Sequence, residues 1–226
     1  MQTAVVSEHG DRRLASEDPA RQAEAWSPHA WSPQEGPLLV VAPHPDDEIL
    51  GAGGLIRTWT MRGSEVSVLS VSDGETNAAG RPGHGAVRLN QALRRLCPTH
   101  VSVTRLGIPD GRISCHLNRL RNALLSLARG KLTLIAPYER DRHPDREAVG
   151  DVCLKFARDL KLPIARYAIR AWPRGAADGA REPLLRKFLL SDDARRAKAR
   201  ALGCFRSQFD GGDLGALAEP YEAFIL

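Results

Sequence analysis

Several things are scarce in this sequence, and each scarcity removes a class of function. No run of about eighteen apolar residues occurs, so the pattern offers no helical membrane span. The four cysteines, Cys97, Cys115, Cys153 and Cys204, include no Cys-x-x-Cys pair, which argues against a zinc ribbon and against a disulfide framework. They are expected to be reduced and packed in the interior. Aromatic residues make up 5% of the chain, and although the formal charge is +5, the arginines are scattered through Arg94-Arg95, Arg119, Arg121 and Arg195-Arg196. Without a concentrated basic run, a nucleic-acid partner is not expected. Residues Met1–Gly10 carry acidic and polar residues where a signal peptide would need a basic start and an apolar stretch, so the expected location is the cytoplasm.

What is present reads as one domain with an N-terminal extension. Residues 1–35 are rich in Glu, Arg, Ser, Pro and Ala without a sustained apolar period, and Trp26 and Trp31 are the side chains that would anchor them. From residue 36 to 226 the pattern alternates. Short apolar, often β-branched runs at Leu38–Val41, Val66–Val71, Val101–Leu106, Leu132–Ala136 and Pro163–Ala171 have the character of buried strands. Stretches of helical composition at Asp47–Arg62, Ala86–Cys97, Leu117–Ala128 and Asp145–Leu160 separate them. This order predicts a doubly wound α/β fold, a mainly parallel sheet with helices on both faces. Beyond a loop-like 173–178, Leu185–Leu190 is expected as a further strand, Asp192–Phe205 as an Arg-rich helix and Tyr221–Leu226 as a closing strand.

Ligands of open α/β sheets bind outside the carboxyl ends of the strands. The first such end carries Pro43-His44-Pro45-Asp46-Asp47-Glu48, an imidazole and three acids in one tight corner. Imidazole and carboxylate suit zinc, whose hydrolytic sites use about three protein ligands and a water acidified to a pKa near 7. An adjacent acid that does not ligate can act as the base. Helix capping is the simpler use for these acids, but it explains neither His44 nor the two prolines. Gly51, Gly53 and Gly54 do not complete a dinucleotide fingerprint, because Ile56 stands where its last glycine is needed. They are expected to let the helix approach the sheet.

The run Pro43–Glu48 followed by Gly51 and Gly53-Gly54 resembles the signature of the PIG-L/LmbE-like zinc-dependent N-deacetylases. Asp73-Gly74-Glu75, Leu106–Gly111, His143-Pro144-Asp145, Ser207-Gln208 and Pro220-Tyr221-Glu222 follow in the family's order. The resemblance implies a Rossmann-like domain that removes an N-acetyl or N-acyl group from an amino sugar or glycoside. It implies His44 and Asp47 as zinc ligands, Asp46 as general base and His143 as the proton donor to the leaving amine. Arg88, Asp145 and Arg146 are the expected substrate-binding side chains.

One position departs from that pattern. The family's second motif reads His-Pro-Asp-His with the last histidine as third metal ligand, whereas this chain has His143-Pro144-Asp145-Arg146. A guanidinium stays protonated and has no lone pair for a metal. Three explanations stay open: fewer protein ligands, a replacement such as His84, His116 or a reassigned His143, or a glycoside-binding protein without hydrolysis. Arg146 itself is expected to pair with Glu147 or a substrate anion. A second departure, Gln91 in place of a family glutamate three residues after Arg88, leaves that arginine freer for substrate.

Overall fold

The computed structural model describes residues 30–74, 84–97, 99, 101–169, 185–208 and 219–226. Within them the chain forms β1 (Leu38–Ala42), α1 (Asp47–Met61), β2 (Val66–Ser70), α2 (Gly85–Leu96), β3 (Ser102–Arg105), α3 (Leu117–Leu127), β4 (Thr133–Pro137), α4 (Pro144–Leu160), β5 (Ile164–Tyr167), β6 (Leu185–Leu189), α5 (Asp192–Leu202) and β7 (Tyr221–Ile225). The seven strands make one sheet in the order β3-β2-β1-β4-β5-β7-β6. The first five are mutually parallel, and β7 pairs antiparallel with both β5 and β6. The doubly wound α/β reading holds. Trp26, Glu75, the loop at 173–178 and the last two residues of the expected fifth strand lie outside the described residues.

The two central strands, β1 and β4, are buried at every position. A strand covered on both faces needs apolar residues throughout, and Leu38-Leu39-Val40-Val41-Ala42 supplies them. Successive side chains point to opposite faces. Leu38 and Val40 join Ile49, Leu55, Trp59, Leu93 and Leu202 in one core, while Leu39 and Val41 join Leu120, Leu124, Val149 and Phe156 in the other. Helices α1, α2 and α5 therefore cover one face, and α3 and α4 cover the other. Trp31 packs on Phe224, with ring centroids 5.2 Å apart, and its backbone donates to Lys187 O. Cysteines 97 and 153 are buried, but Cys115 is exposed, which corrects the expectation that all four pack inside. Among the described residues no helix is long and apolar enough to cross a membrane.

Helix α1 is broken at Ala52, whose φ and ψ are −144° and 16°. A regular helix would bond Gly54 N to Leu50 O. Here Gly54 N and Leu55 N donate instead to the Glu222 carboxylate at 2.7 and 2.9 Å, and Lys198 Nζ donates to Leu50 O at 2.8 Å. Lys198 and Glu222 also pair with each other at 2.6 Å. A buried ion pair thus replaces the helical bond that the kink removes, which accounts for the closing Pro220-Tyr221-Glu222 segment. The expected role of the glycines is also visible. A Cβ on Gly51 would lie 2.3 Å from Tyr167 Cδ2, and one on Gly54 would lie 2.3 Å from Leu190 Cδ2.

The connections from β1 run outward to β2 and β3, whereas β4 starts on the other side of β1 and leads to β5. The chain reverses between β1 and β4, and the loops after these strands flank a crevice at the carboxyl rim. Doubly wound sheets place their ligand sites at such a switch point.

Candidate active site

Each strand at the switch point delivers one half of the site. After β1 the chain turns through His44–Asp46, and α1 starts with Ile49 N and Leu50 N bonded to Asp46 O. Asp46 has φ 156°, a conformation that favours glycine and costs a side-chain-bearing residue on the order of 1–3 kcal/mol. Its carboxylate makes no capping bond to the helix. The acid at the cap position is thus not spent on capping, contrary to the simpler reading of this corner. Asp47 and Glu48 are fully buried, and Asp46 keeps partial contact with solvent. After β4, Asp141 is buried, His143 is half-buried at the start of α4, and Asp145 and Arg146 are buried in its first turn.

Across the switch point the two halves meet on opposite edges of one imidazole. Toward Asp47, His44 Nδ1 lies 3.3 Å from Asp47 Oδ2, and His44 N donates to the same oxygen at 3.2 Å. Toward α4, His44 Nε2 lies 3.1 Å from Asp145 Oδ2 and 3.9 Å from Asp110 Oδ1. The rings of His44 and His143 meet edge to face, with centroids 4.8 Å apart. Asp145 is held in turn by the loop after β3, accepting from Gly111 N at 2.8 Å and Ile113 N at 3.4 Å.

Arg146 is 6% exposed and turns away from solvent. Its Nη2 donates to Asp47 Oδ1 at 2.7 Å, its Nε reaches Asp47 Oδ1 and Oδ2 at 3.1 and 3.2 Å, and its Nη1 reaches Asp141 Oδ1 at 3.2 Å. The expected pairing with Glu147 is corrected. Glu147 instead accepts from Arg142 N, because the helix turn that brings Arg146 into the interior leaves Glu147 at its edge. Asp141 also accepts from Ile169 N at 2.6 Å, which fixes the far side of the guanidinium cradle.

The charges follow from this packing. Burial works against a protonated His44, but bonds to Asp145 and Asp47 outweigh it and raise its pKa to about 10. Burial and the adjacent Asp47 charge raise Asp46 to about 7, against the pull of Arg146 and His44. For Asp47 burial is outweighed by Arg146 and His44, which hold it well below the usual carboxylate range. Glu48 is pushed well above its ordinary value by burial, and its Oε1 has no hydrogen-bond partner. Asp145 is lowered: burial opposes the charge, but His44 and the amides of Gly111 and Ile113 favour it.

The metal position implied by the resemblance does not accommodate a cation. Arg146 and His44 together aim four donor atoms at Asp47, whose carboxylate offers about four lone-pair directions. A second donor set stands beside it. Ligand atoms of His44, His143 and Asp145 all lie within 4.8 Å of one another, and two imidazoles with a carboxylate can hold a metal ion. Neither His84 nor His116 joins such a group among the described residues, and both are exposed. Arg88 lies one turn inside α2, whose first residue Gly85 has no room for a Cβ against Asp73 O and Pro45. Its Nη1 is buried without a hydrogen-bond partner among the described residues. Sequence reasoning missed Asp110 and Asp141 as members of the cluster; Asp110 was signalled by its rim loop and by the Leu106–Gly111 match, and Asp141 only by its place in the loop after β4.

The chain is similar to known proteins in sequence and in fold. A family model described as PIG-L, GlcNAc-PI de-N-acetylase, matches residues 39–157. A conserved protein from Thermus thermophilus superimposes with a TM-score of 0.65 at 25% identity, covering 84% of this chain and 93% of that one. The N,N'-diacetylchitobiose deacetylase from Pyrococcus horikoshii gives 0.56 at 19% identity, over 77% of this chain and 71% of the other. The zinc-inhibited form of a teicoplanin deacetylase gives 0.61 at 16% identity, with coverages of 84% and 97%.

Proposed function

Because the chain belongs to the PIG-L family of de-N-acetylases, we propose that it is a metal-dependent hydrolase that cleaves the N-acetyl, or a related N-acyl, group from an amino sugar or glycoside. The observation that carries this reading is the meeting of His44, His143 and Asp145 at one switch-point crevice, with His44 two residues from Asp46 in the chain. The likeness to deacetylases of N,N'-diacetylchitobiose and of teicoplanin supports an acetylated sugar, free or attached to a larger scaffold, as substrate.

The reaction adds water across an amide and releases acetate and an amine. Zinc, or another divalent cation, would polarise the amide carbonyl and acidify the water when bound. Asp46 is the acid of the corner that still faces solvent, and its carboxylate takes the proton of the attacking water. As the C–N bond breaks, the same carboxyl returns that proton to the departing nitrogen. Asp47, locked by Arg146, fixes the His44 ring. Arg88, whose Nη1 has no hydrogen-bond partner among the described residues, holds a polar or anionic group of the substrate.

The test is acetate release from N-acetylglucosamine glycosides by the purified, zinc-supplemented chain. Asp46→Asn should slow release by about 10²–10⁴-fold. Undiminished release in that variant would overturn the assignment of the base.

A further inference from the structure

We propose that the divalent cation of this protein binds on the Nε2 edge of His44, between His143 and Asp145, and that the Arg146–Asp47 pair has turned Asp47 from a ligand into a positioning residue. The proposal rests on the hydrolase reading for the need of a cation, but it concerns only where the cation sits.

Three observations carry it. First, His44 presents two nitrogens to two different carboxylates, and only one of those carboxylates is saturated. Asp47 takes Arg146 Nε and Nη2 together with His44 N and Nδ1, leaving no lone pair directed outward. Asp145 takes two backbone amides, so its oxygens keep capacity on the side of His44 Nε2.

Second, the spacing suits the ion. Two atoms bound tetrahedrally at about 2.0–2.1 Å from zinc stand about 3.3 Å apart. His44 Nε2 and Asp145 Oδ2 are 3.1 Å apart, and the widest separation in the triad with His143 is 4.8 Å. Seating zinc there requires the half-buried His143 ring to move toward the other two ligands. With the metal on Nε2, the proton of His44 sits on Nδ1 and points at Asp47 Oδ2, the carboxylate partner that zinc-bound histidines generally have.

Third, the charges call for a cation on that edge. The Arg146 guanidinium is flanked by Asp47 and Asp141, so its charge is neutralised on the far side of His44. Asp110 and Asp145 both approach His44 Nε2 on the near side, at 3.9 and 3.1 Å. An arginine beside a metal centre would ordinarily weaken binding. Here its two acidic neighbours absorb it, and the sequence keeps an acid-rich corner while losing the family's third ligand.

The test measures metal directly. Wild-type chain, stripped with chelator and titrated with Co(II), should bind one ion per chain with the visible absorption of a tetrahedral site. His143→Gln and Asp145→Asn should each weaken binding at least 10-fold and change the spectrum, while thermal unfolding of the metal-free variants stays close to that of the stripped wild type. Asp47→Asn should keep the spectrum, with affinity reduced less than in either ligand variant. Arg146→His should bind a Co(II) with an altered spectrum, because the family's ligand is restored on the other edge of His44. Failure of the wild type to bind, or wild-type spectra and affinity in both His143→Gln and Asp145→Asn, overturns the proposal. Binding with the expected pattern but no acetate release would instead count against the hydrolase reading.

Discussion

Two buried ion pairs grip helix α1, and they differ in what surrounds them. At the kink, Lys198 and Glu222 are spent on backbone groups that the broken helix leaves open, namely Leu50 O, Gly54 N and Leu55 N. At the N-terminus, Arg146 and Asp47 are spent on side chains, Asp141 and His44, beside half-open histidines and acids. A buried pair is weak evidence for net stabilisation, but breaking one by removing a single partner costs about 3–5 kcal/mol. The first pair completes a backbone; the second orients a ring. Burial and charge alone do not separate them, whereas the atoms they bond to do.

That contrast can be broken from either side. Lys198→Met strands the Glu222 carboxylate in the core and should have the largest effect on folding, a loss of about 3–5 kcal/mol in denaturant unfolding, with metal affinity unchanged. Arg146→Met should cost somewhat less, about 3 kcal/mol, because Asp47 keeps His44, whose imidazole can carry a compensating positive charge. Zinc should return part of that loss, as any ligand that binds only the folded state does. If zinc instead stabilises the Lys198→Met chain more than the Arg146→Met chain relative to their metal-free forms, the two pairs have been given the wrong roles. Gly51→Ala forces a Cβ onto Tyr167 and should cost about 1–3 kcal/mol without touching metal binding, measured by the same unfolding series.

The smallest effect is on acid stability. Asp47 is depressed by Arg146 and His44, so the stability it contributes is present above its unfolded pKa of about 3.9 and is lost as pH falls below that value. Acid unfolding of wild type should therefore be steeper through this window than that of Asp47→Asn. Superimposable curves would mean that the pair contributes nothing through ionisation.

Much of this architecture was legible in the sequence because doubly buried parallel strands must be apolar at every position. Leu38–Val41 and Leu132–Ala136 therefore stand out without a structure, and the glycines of α1 could be assigned to close packing. The corner at His44 was legible because four polar residues directly after an apolar strand have few structural uses. The partners were not. Arg146 lies 99 residues from Asp47, and Glu222 lies 168 from Gly54. Nothing in local composition states that Arg146 turns inward to Asp47 rather than along its helix to Glu147. The kink at Ala52 was equally hidden, since its cause is the distant pair that satisfies the broken bond. Asp141 carried only its place in the loop after the fourth strand; its partners, Arg146 and Ile169 N, come from the fold.

The central claim, that this crevice performs metal-dependent deacylation, is tested most directly by metal removal and return. Acetate release from an N-acetylglucosamine glycoside is followed for chelator-treated chain as zinc is added in fractions of an equivalent. The account predicts no release without metal and a rate that climbs in proportion to zinc until one equivalent is bound. Release that chelation leaves untouched would contradict it, and so would a fully zinc-loaded chain that never yields acetate.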